Sequence, residues 1–176
     1  MSASPVPRMT VAQINAMSPE DFSRAFGAVY EHSPWIARRA FARRPFSGIA
    51  ALHAAMKTVV EEASRDEQLA LLRAHPELAG REARAGELTA HSTTEQRSAG
   101  LNALSRDEMA RIAELNQAHA ARFGFPFIIA VRLSDKTRIF AEFERRLALE
   151  PAAEMRACLE QVYLITDLRL RDMVAE

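Results

Sequence analysis

Apolar residues recur along most of this chain at spacings of three and four, the period of a helix with one buried face. In "SPEDFSRAFGAVYEH", Phe22, Phe26 and Val29 make such a stripe. Ser18 stands where an N-cap belongs, Pro19 at the first helical position, and Glu20 and Asp21 in the first turn. "SGIAALHAAMKTVVEEA" is predicted to open at Ser47 and to bury Ile49, Leu52, Met56 and Val59 or Val60. "SRDEQLALLRAH" opens with Ser64 and Glu67 as a capping box and stops at His75-Pro76. "SRDEMARIAELNQAHAARFG" repeats the device with Ser105 and Glu108 and ends on Gly124. "TVAQINAM", the basic "WIARRAFARR" and "TTEQRSAGLNAL" read as shorter helices, the last with Ser92 or Thr93 near its N-cap. "DKTRIFAEFERRLALE" and "PAAEMRACLEQVYLITDLRLRDMVAE" close the chain. The Ser/Pro-rich start, Met1 to Arg8, is expected to be loose.

Two stretches break the helical period. "PELAGREARAGELTAHST" carries Gly80, Gly86 and few apolar residues, and reads as a loop with a short helical turn. "FPFIIAVRL", Phe125 to Leu133, favours extended structure, but no second strand exists for it to pair with, and one strand makes no sheet. It is therefore expected to be a buried link between helices. No repeat or linker divides the chain. The prediction is an all-α fold, one compact domain over residues 1–176 with roughly eight helices.

Composition narrows the function. Apolar residues are 48% and charged residues 26% of the chain, a globular balance that supports a core. Lys plus Arg number 23 and Asp plus Glu number 23, so no net charge steers the protein to nucleic acid or to a membrane surface. The single Cys158 excludes an internal disulfide and a CxxC metal site, and reads as a small core side chain in a reducing compartment. "MSASPVPRMT" lacks a signal-peptide core, no run approaches spanning length, and "MVAE" is not a peroxisomal address, so a cytoplasmic protein is expected.

Glycine-rich phosphate loops, HExxH and GxSxG are absent. None of His32, His53, His75, His91 and His119 lies three or four residues from another, so no helix presents a zinc pair, although a scattered metal site stays open. His53 and His119 read as surface or edge positions, His32 as a helix end and His91 as a loop residue. His75 has two readings. It can complement a helix dipole, or it can be a reagent whose ring direction is set by Pro76. "STTEQ", Ser92 to Gln96, also has two: a helix start that suits an anion, or acids that simply favour an N-terminus. In the last helix Met155, Leu159, Val162, Thr166, Arg169 and Met173 form one stripe. Arg169 in that apolar face either meets an anion or snorkels to solvent; Arg171 falls on another, exposed face. A helical interaction module using "ARRAFARR", or a heme or metal binder, are the rival classes.

Taken together, "FGAVYEHSPWIARRAFARRPF", "LLRAHPELAG", "STTEQRSAGLNALS", "LNQAHAARFGFPFIIAVR" and "RLRDMV" resemble one family, in its order and near its spacing from Phe22 to Val174. It is the 2-oxo-4-hydroxy-4-carboxy-5-ureidoimidazoline (OHCU) decarboxylase family. The resemblance implies an all-helical homodimeric carboxy-lyase that uses no cofactor and completes the conversion of urate to allantoin. It implies that His75 is the catalytic proton donor and Pro76 a substrate contact. It implies a substrate-binding run of Ser92, Thr93, Thr94, Glu95 and Gln96, with Glu95 the key carboxylate. It makes Phe127, Ile128, Ile129, Ala130 and Val131 a wall with backbone hydrogen bonds to substrate. It suggests Arg169 for the substrate's anionic end. The only partner it implies, beyond a second copy, is the small molecule OHCU, with no nucleic acid and no membrane.

Overall fold

A computed structural model describes residues 8–175. Apart from Arg8, the segment expected to be loose lies outside the described residues. Ten α-helices and two short 3-10 turns account for the regular structure among those residues, and no strand occurs there, so the all-α expectation holds. The helices are α1 Val11–Asn15, α2 Pro19–Phe26, α3 Trp35–Ala40, α4 Ile49–Glu61, α5 Arg65–Arg73, α6 Arg81–Ala85, α7 Ala90–Ser98, α8 Arg106–Phe123, α9 Lys136–Leu147 and α10 Pro151–Met173.

Contacts divide the chain into two compact units. The first holds residues up to Ser64 together with those from Thr166 onward. Its core gathers Phe22, Phe26, Ile36, Leu52 and Met56, all almost fully buried. The ring of Phe22 packs against Phe26, Phe41 and Phe46 with centroids 4.8, 5.5 and 6.0 Å away. Its two chain ends are joined: the Met9 N–H donates to the Met173 carbonyl and the Ala175 N–H to that of Met9.

The second unit, Arg65–Ile165, is built on Ile112, Leu115, Phe127, Ile129, Ile139 and Phe143, with Leu78 and Ala79 in the same cluster. The link from Phe125 to Ala130 carries no regular structure, and all of it but the half-buried Pro126 is buried, as expected.

Several boundaries depart from the sequence reading. Ser18 caps α2 through the Asp21 N–H, but the helix ends at Phe26 instead of running on to His32. His32 is an exposed turn residue with φ 45°. Ser47 does not cap α4; Gly48 precedes that helix with no side-chain cap. The Ser105–Glu108 box and the left-handed Gly124 (φ 76°) bound α8 as expected. α7 begins earlier, at Ala90, with Thr89 as its cap, and ends at Ser98. Ser92 is thus inside the helix, its N–H held by the Thr89 hydroxyl, and the Thr93 N–H is held by the Thr89 carbonyl. The idea of Ser92 as a free helix start for an anion is corrected by those bonds: the donors are already used. His91 likewise lies in the helix, half-buried, and not in a loop.

Candidate active site

α5 ends at Arg73, two residues before His75, because Pro76 disfavours helical geometry in the residue it follows. The His75 ring folds back along the helix it leaves, and Nδ1 lies 3.0 Å from the Leu71 carbonyl. A carbonyl only accepts, so Nδ1 carries the hydrogen. This assigns the neutral tautomer, with the basic lone pair on Nε2. His75 is 9% exposed, within reach of a ligand yet held by its surroundings.

The loop after His75 is tied at two points, and the end of α5 before it at a third. The Ala79 N–H donates to Gln96 Oε1 at 3.0 Å, and Asn116 Nδ2 donates to the Leu78 carbonyl at 2.9 Å. Arg73 Nε reaches the Gly124 carbonyl at 3.0 Å, joining the end of α5 to the start of the buried link. Ala79 sits at φ 47°, a left-handed geometry that costs an L-residue about 1–2 kcal/mol. The hydrogen bond to Gln96 and burial of its methyl oppose that cost. Gly80 is fixed by space: a Cβ there would lie 2.6 Å from the Glu77 Cβ. "HPELAG" therefore encodes a loop of one shape.

On α7, Ser92, Glu95 and Gln96 are buried at spacings of three and four. A helix face buried through polar side chains is unusual, since such groups need partners. Thr93 is half-buried and Thr94 exposed, its hydroxyl bonded back to the Ala90 carbonyl. Gln96 spends its carbonyl on Ala79, and an amide still has two N–H donors. A cavity of about 600 Å³ opens beside Thr93, Gln96, Ala79, Arg97 and Leu101. Neither His75 nor Glu95 lines that cavity, so its size alone does not make it the catalytic pocket.

The wall from Phe127 to Val131 lies in the same unit. Phe127, Ile129 and Val131 share a core cluster with Leu78 and Ala79 of the His75 loop, and α7 packs against the turn Val131–Leu133. Pro76 is half-buried at the head of that loop. His75, Pro76, the α7 face and the wall thus belong to one unit.

Arg169 does not fall in that unit. It is 2% exposed within the first, where Nη1 meets Glu31 Oε2 at 3.1 Å and the Val29 carbonyl at 3.0 Å. The stripe predicted for α10 is observed from Met155 to Arg169, so Arg169 points inward and does not snorkel; Arg171 is exposed. An internal carboxylate already balances its charge.

His119, read from sequence as a surface or edge residue, is fully buried. Ile112, Leu115, Asn116 and His119 are the buried residues of α8, and their spacing of three, four and seven carries His119 inward with the apolar stripe. Its Nδ1 faces the Phe125 carbonyl at 2.9 Å and its Nε2 faces Glu154 Oε1 at 2.8 Å. Arg146 grips Glu154 with two bonds of 2.9 and 2.6 Å. Burial works to raise the Glu154 carboxyl, but hydrogen bonds from His119 and Arg146 outweigh it and hold the group below the usual carboxylate range. Both His119 nitrogens thus face oxygen atoms, those of Phe125 and Glu154.

His119, Glu154 and Cys158 also place ligand atoms within 4.8 Å of one another, the spacing of a metal site. The donor chemistry does not fit. Burial pushes the Cys158 thiol up to about 12, whereas a metal needs the thiolate. The Arg146 guanidinium also stands among the three, 3.0 Å from the sulfur, and fills the role of the cation.

The family model described as OHCU decarboxylase matches residues 15–171. The 2-oxo-4-hydroxy-4-carboxy-5-ureidoimidazoline decarboxylase of Haloferax volcanii is 44% identical over 164 residues, 93% of this chain and 95% of that protein. Its counterpart in Mus musculus is 40% identical over 166 residues, 94% of this chain and 93% of that one. The crystal structure of (S)-allantoin synthase matches with a TM-score of 0.74 at 30% identity, covering 94% of this chain and 54% of a longer one. A crystal structure of OHCU decarboxylase in the presence of (S)-allantoin shares the fold, with a TM-score of 0.70 at 17% identity, covering 91% of this chain and all of that one.

Proposed function

Because the chain belongs to the OHCU decarboxylase family, we propose that it decarboxylates OHCU to (S)-allantoin and CO2, the last step from urate to allantoin. The observation that carries this reading is the buried His75 ring: its Nδ1 donates to the Leu71 carbonyl, which holds the ring in one orientation and puts the basic lone pair of the neutral form on Nε2.

The substrate contains its own electron sink. The carbon that bears the carboxylate adjoins a C=N bond. When the C–C bond breaks, its electron pair forms a new ring C=C bond, and the C=N pair moves onto nitrogen, which takes a proton. CO2 departs. The 4-hydroxyl then gives up its proton as its C–O bond becomes a carbonyl, and the adjacent carbon gains one. His75 Nε2 is suited to both transfers near neutral pH. Delivery from one face yields one enantiomer. In this scheme no cofactor is needed, and the protein's task is orientation.

The buried face of α7 meets the ring and ureido groups. Glu95 can accept from ureido N–H donors, and Gln96 can donate from the amide nitrogen that Ala79 does not use. Ser92, Thr93 and Thr94 complete that run in the proposal, with Thr94 the weakest member because it is exposed. Pro76 and the backbone of Phe127 to Val131 bound the substrate. Arg169 stays a proposed contact for the substrate's anionic end, with its own test, since Glu31 already offers it a partner. A cytoplasmic homodimer completes the reading; light scattering at micromolar concentration checks the dimer. No helix among the described residues is long and apolar enough to cross a membrane.

The deciding experiment generates OHCU in situ by oxidising and hydrolysing urate, in buffer containing EDTA. Product is followed by circular dichroism. Fast appearance of the (S) signal upon adding protein supports the reading. Decay at the uncatalysed rate, or racemic product, overturns it.

A further inference from the structure

Bonds to the buried link are distributed unevenly. The Ile128 carbonyl accepts from Arg146 Nη1 at 2.7 Å. The Ala130 N–H donates to Gln161 Oε1 at 2.9 Å. Upstream, the Phe125 carbonyl accepts from His119. All these partners come from α8, α9 and α10. In a planar trans peptide the C=O of one residue and the N–H of the next point in opposite directions. The Ile128 carbonyl faces Arg146 and the Ala130 N–H faces Gln161, while the Ala130 carbonyl is taken by the Leu133 N–H. Ile129, between them and 5% exposed, therefore turns its N–H and C=O away from both side chains.

Buried backbone groups are rarely left without partners. The described residues offer the amide and carbonyl of Ile129 no hydrogen bond, while its neighbours on either side are held. That contrast separates a gripped edge from an edge reserved for something else.

We propose that Arg146 and Gln161 are positioning residues for the decarboxylation: they hold one edge of the Ile128–Ala130 backbone so that Ile129 presents its N–H and C=O to the substrate. The inference rests on the proposed function for what occupies that edge. The grip itself is independent of it.

Each element of the grip has a reason. Arg146 is 2% exposed and would be costly there without a partner. Glu154 takes two of its donors, and this pairing aims the third nitrogen at Ile128. The guanidinium also lies over the Phe127 ring, 4.3 Å from its centroid, and Phe127 stacks on Phe143 at 3.9 Å. The link is thereby clamped through both backbone and side chain. Gln161 is only half-buried, so it can be changed without exposing a buried charge.

The test uses Gln161→Ala, Gln161→Glu and Arg146→Lys in the full chain. Gln161→Ala removes the acceptor for Ala130; Gln161→Glu keeps one. Arg146→Lys keeps the charge opposite Glu154 and loses the fork. Small misplacements of a substrate contact cost about tenfold to a hundredfold in rate. Gln161→Ala should lower kcat/KM by about that factor with a nearly unchanged melting temperature, and Gln161→Glu should restore it. Arg146→Lys should lose at least as much. A second readout needs no catalysis: amide hydrogen exchange at Ile128, Ile129 and Ala130 should quicken in Gln161→Ala and return toward wild type in Gln161→Glu. Unchanged exchange and unchanged kcat/KM in folded Gln161→Ala overturn the proposal. Faster exchange with unchanged kinetics overturns the role in catalysis while leaving the grip. If wild type itself fails on OHCU, the proposed function falls, and exchange still decides the grip.

Discussion

Replacing His75 by asparagine, and in parallel by alanine, separates its structural bond from its chemistry. An asparagine amide nitrogen can occupy nearly the place of imidazole Nδ1 and donate to the Leu71 carbonyl, but nothing replaces Nε2. Alanine removes both. The stability cost follows from the local bonding. The Leu71 carbonyl also accepts the Ala74 N–H at 3.2 Å, so losing the ring does not orphan it. The loss is then that of one ordinary hydrogen bond, about 1 kcal/mol, not the larger cost of a buried unsatisfied carbonyl. For a chain of this size that lowers the melting temperature by roughly 2–4 °C in His75→Ala, with some addition from lost ring packing. His75→Asn should stay closer to wild type. Activity should not follow that order. Both variants lack the proposed proton carrier, and general acid–base groups contribute about 10²- to 10⁴-fold. Thermal melts by circular dichroism and the coupled OHCU assay on the same preparations give both quantities. If folded His75→Asn keeps turnover within about threefold of wild type, far inside that range, Nε2 is not the proton carrier.

Three further outcomes are expected. Glu95→Gln should fold normally and lower kcat/KM by about tenfold or more, since an amide gives one acceptor and an unwanted donor where the carboxylate gives two charged oxygens; kinetics equal to wild type would reduce Glu95 to a helix acid. Arg169→Lys keeps a cation opposite Glu31 but loses the planar fork, so a role at the substrate's anion predicts a raised KM with little change in melting; a large melting loss with normal kinetics would leave Arg169 as the partner of Glu31 alone. Glu154 is held below its usual range in the folded state, so its contribution is present above the unfolded value and is lost as pH falls through the folded one. The melting temperature of wild type should therefore decline below about pH 4. Glu154→Gln strands the buried Arg146, and should start on the order of 10 °C lower and lack that acid-dependent leg; parallel acid profiles for the two proteins would show that Glu154 is not the group involved.

The sequence by itself determined the helices and their caps where a local pattern suffices. Ser18, Ser105 with Glu108, and Gly124 act through bonds between residues three or four apart, so their effects are written in adjacent letters. The family, and through it the roles expected of His75 and Glu95, was also legible, because "HPELAG", "STTEQ" and "FGFPFIIAVR" are contiguous strings. Tertiary structure decided what depends on partners far along the chain. Which nitrogen of His75 is tied down required the path of the chain after Arg73. That Gln96 spends its carbonyl on Ala79, 17 residues away, has no trace in local spacing. Arg169 could be read from its stripe as buried, but its partner Glu31, 138 residues distant, could not. His119, Arg146 and Glu154 stand at helical spacing within apolar stripes, beside Ile112 and Leu115, Ile139 and Phe143, and Cys158 and Val162. That spacing marks them as inward. Only packing decided that the three meet, because ionised side chains enter a core when their charges and hydrogen bonds are satisfied together, and that condition is set by the assembled helices.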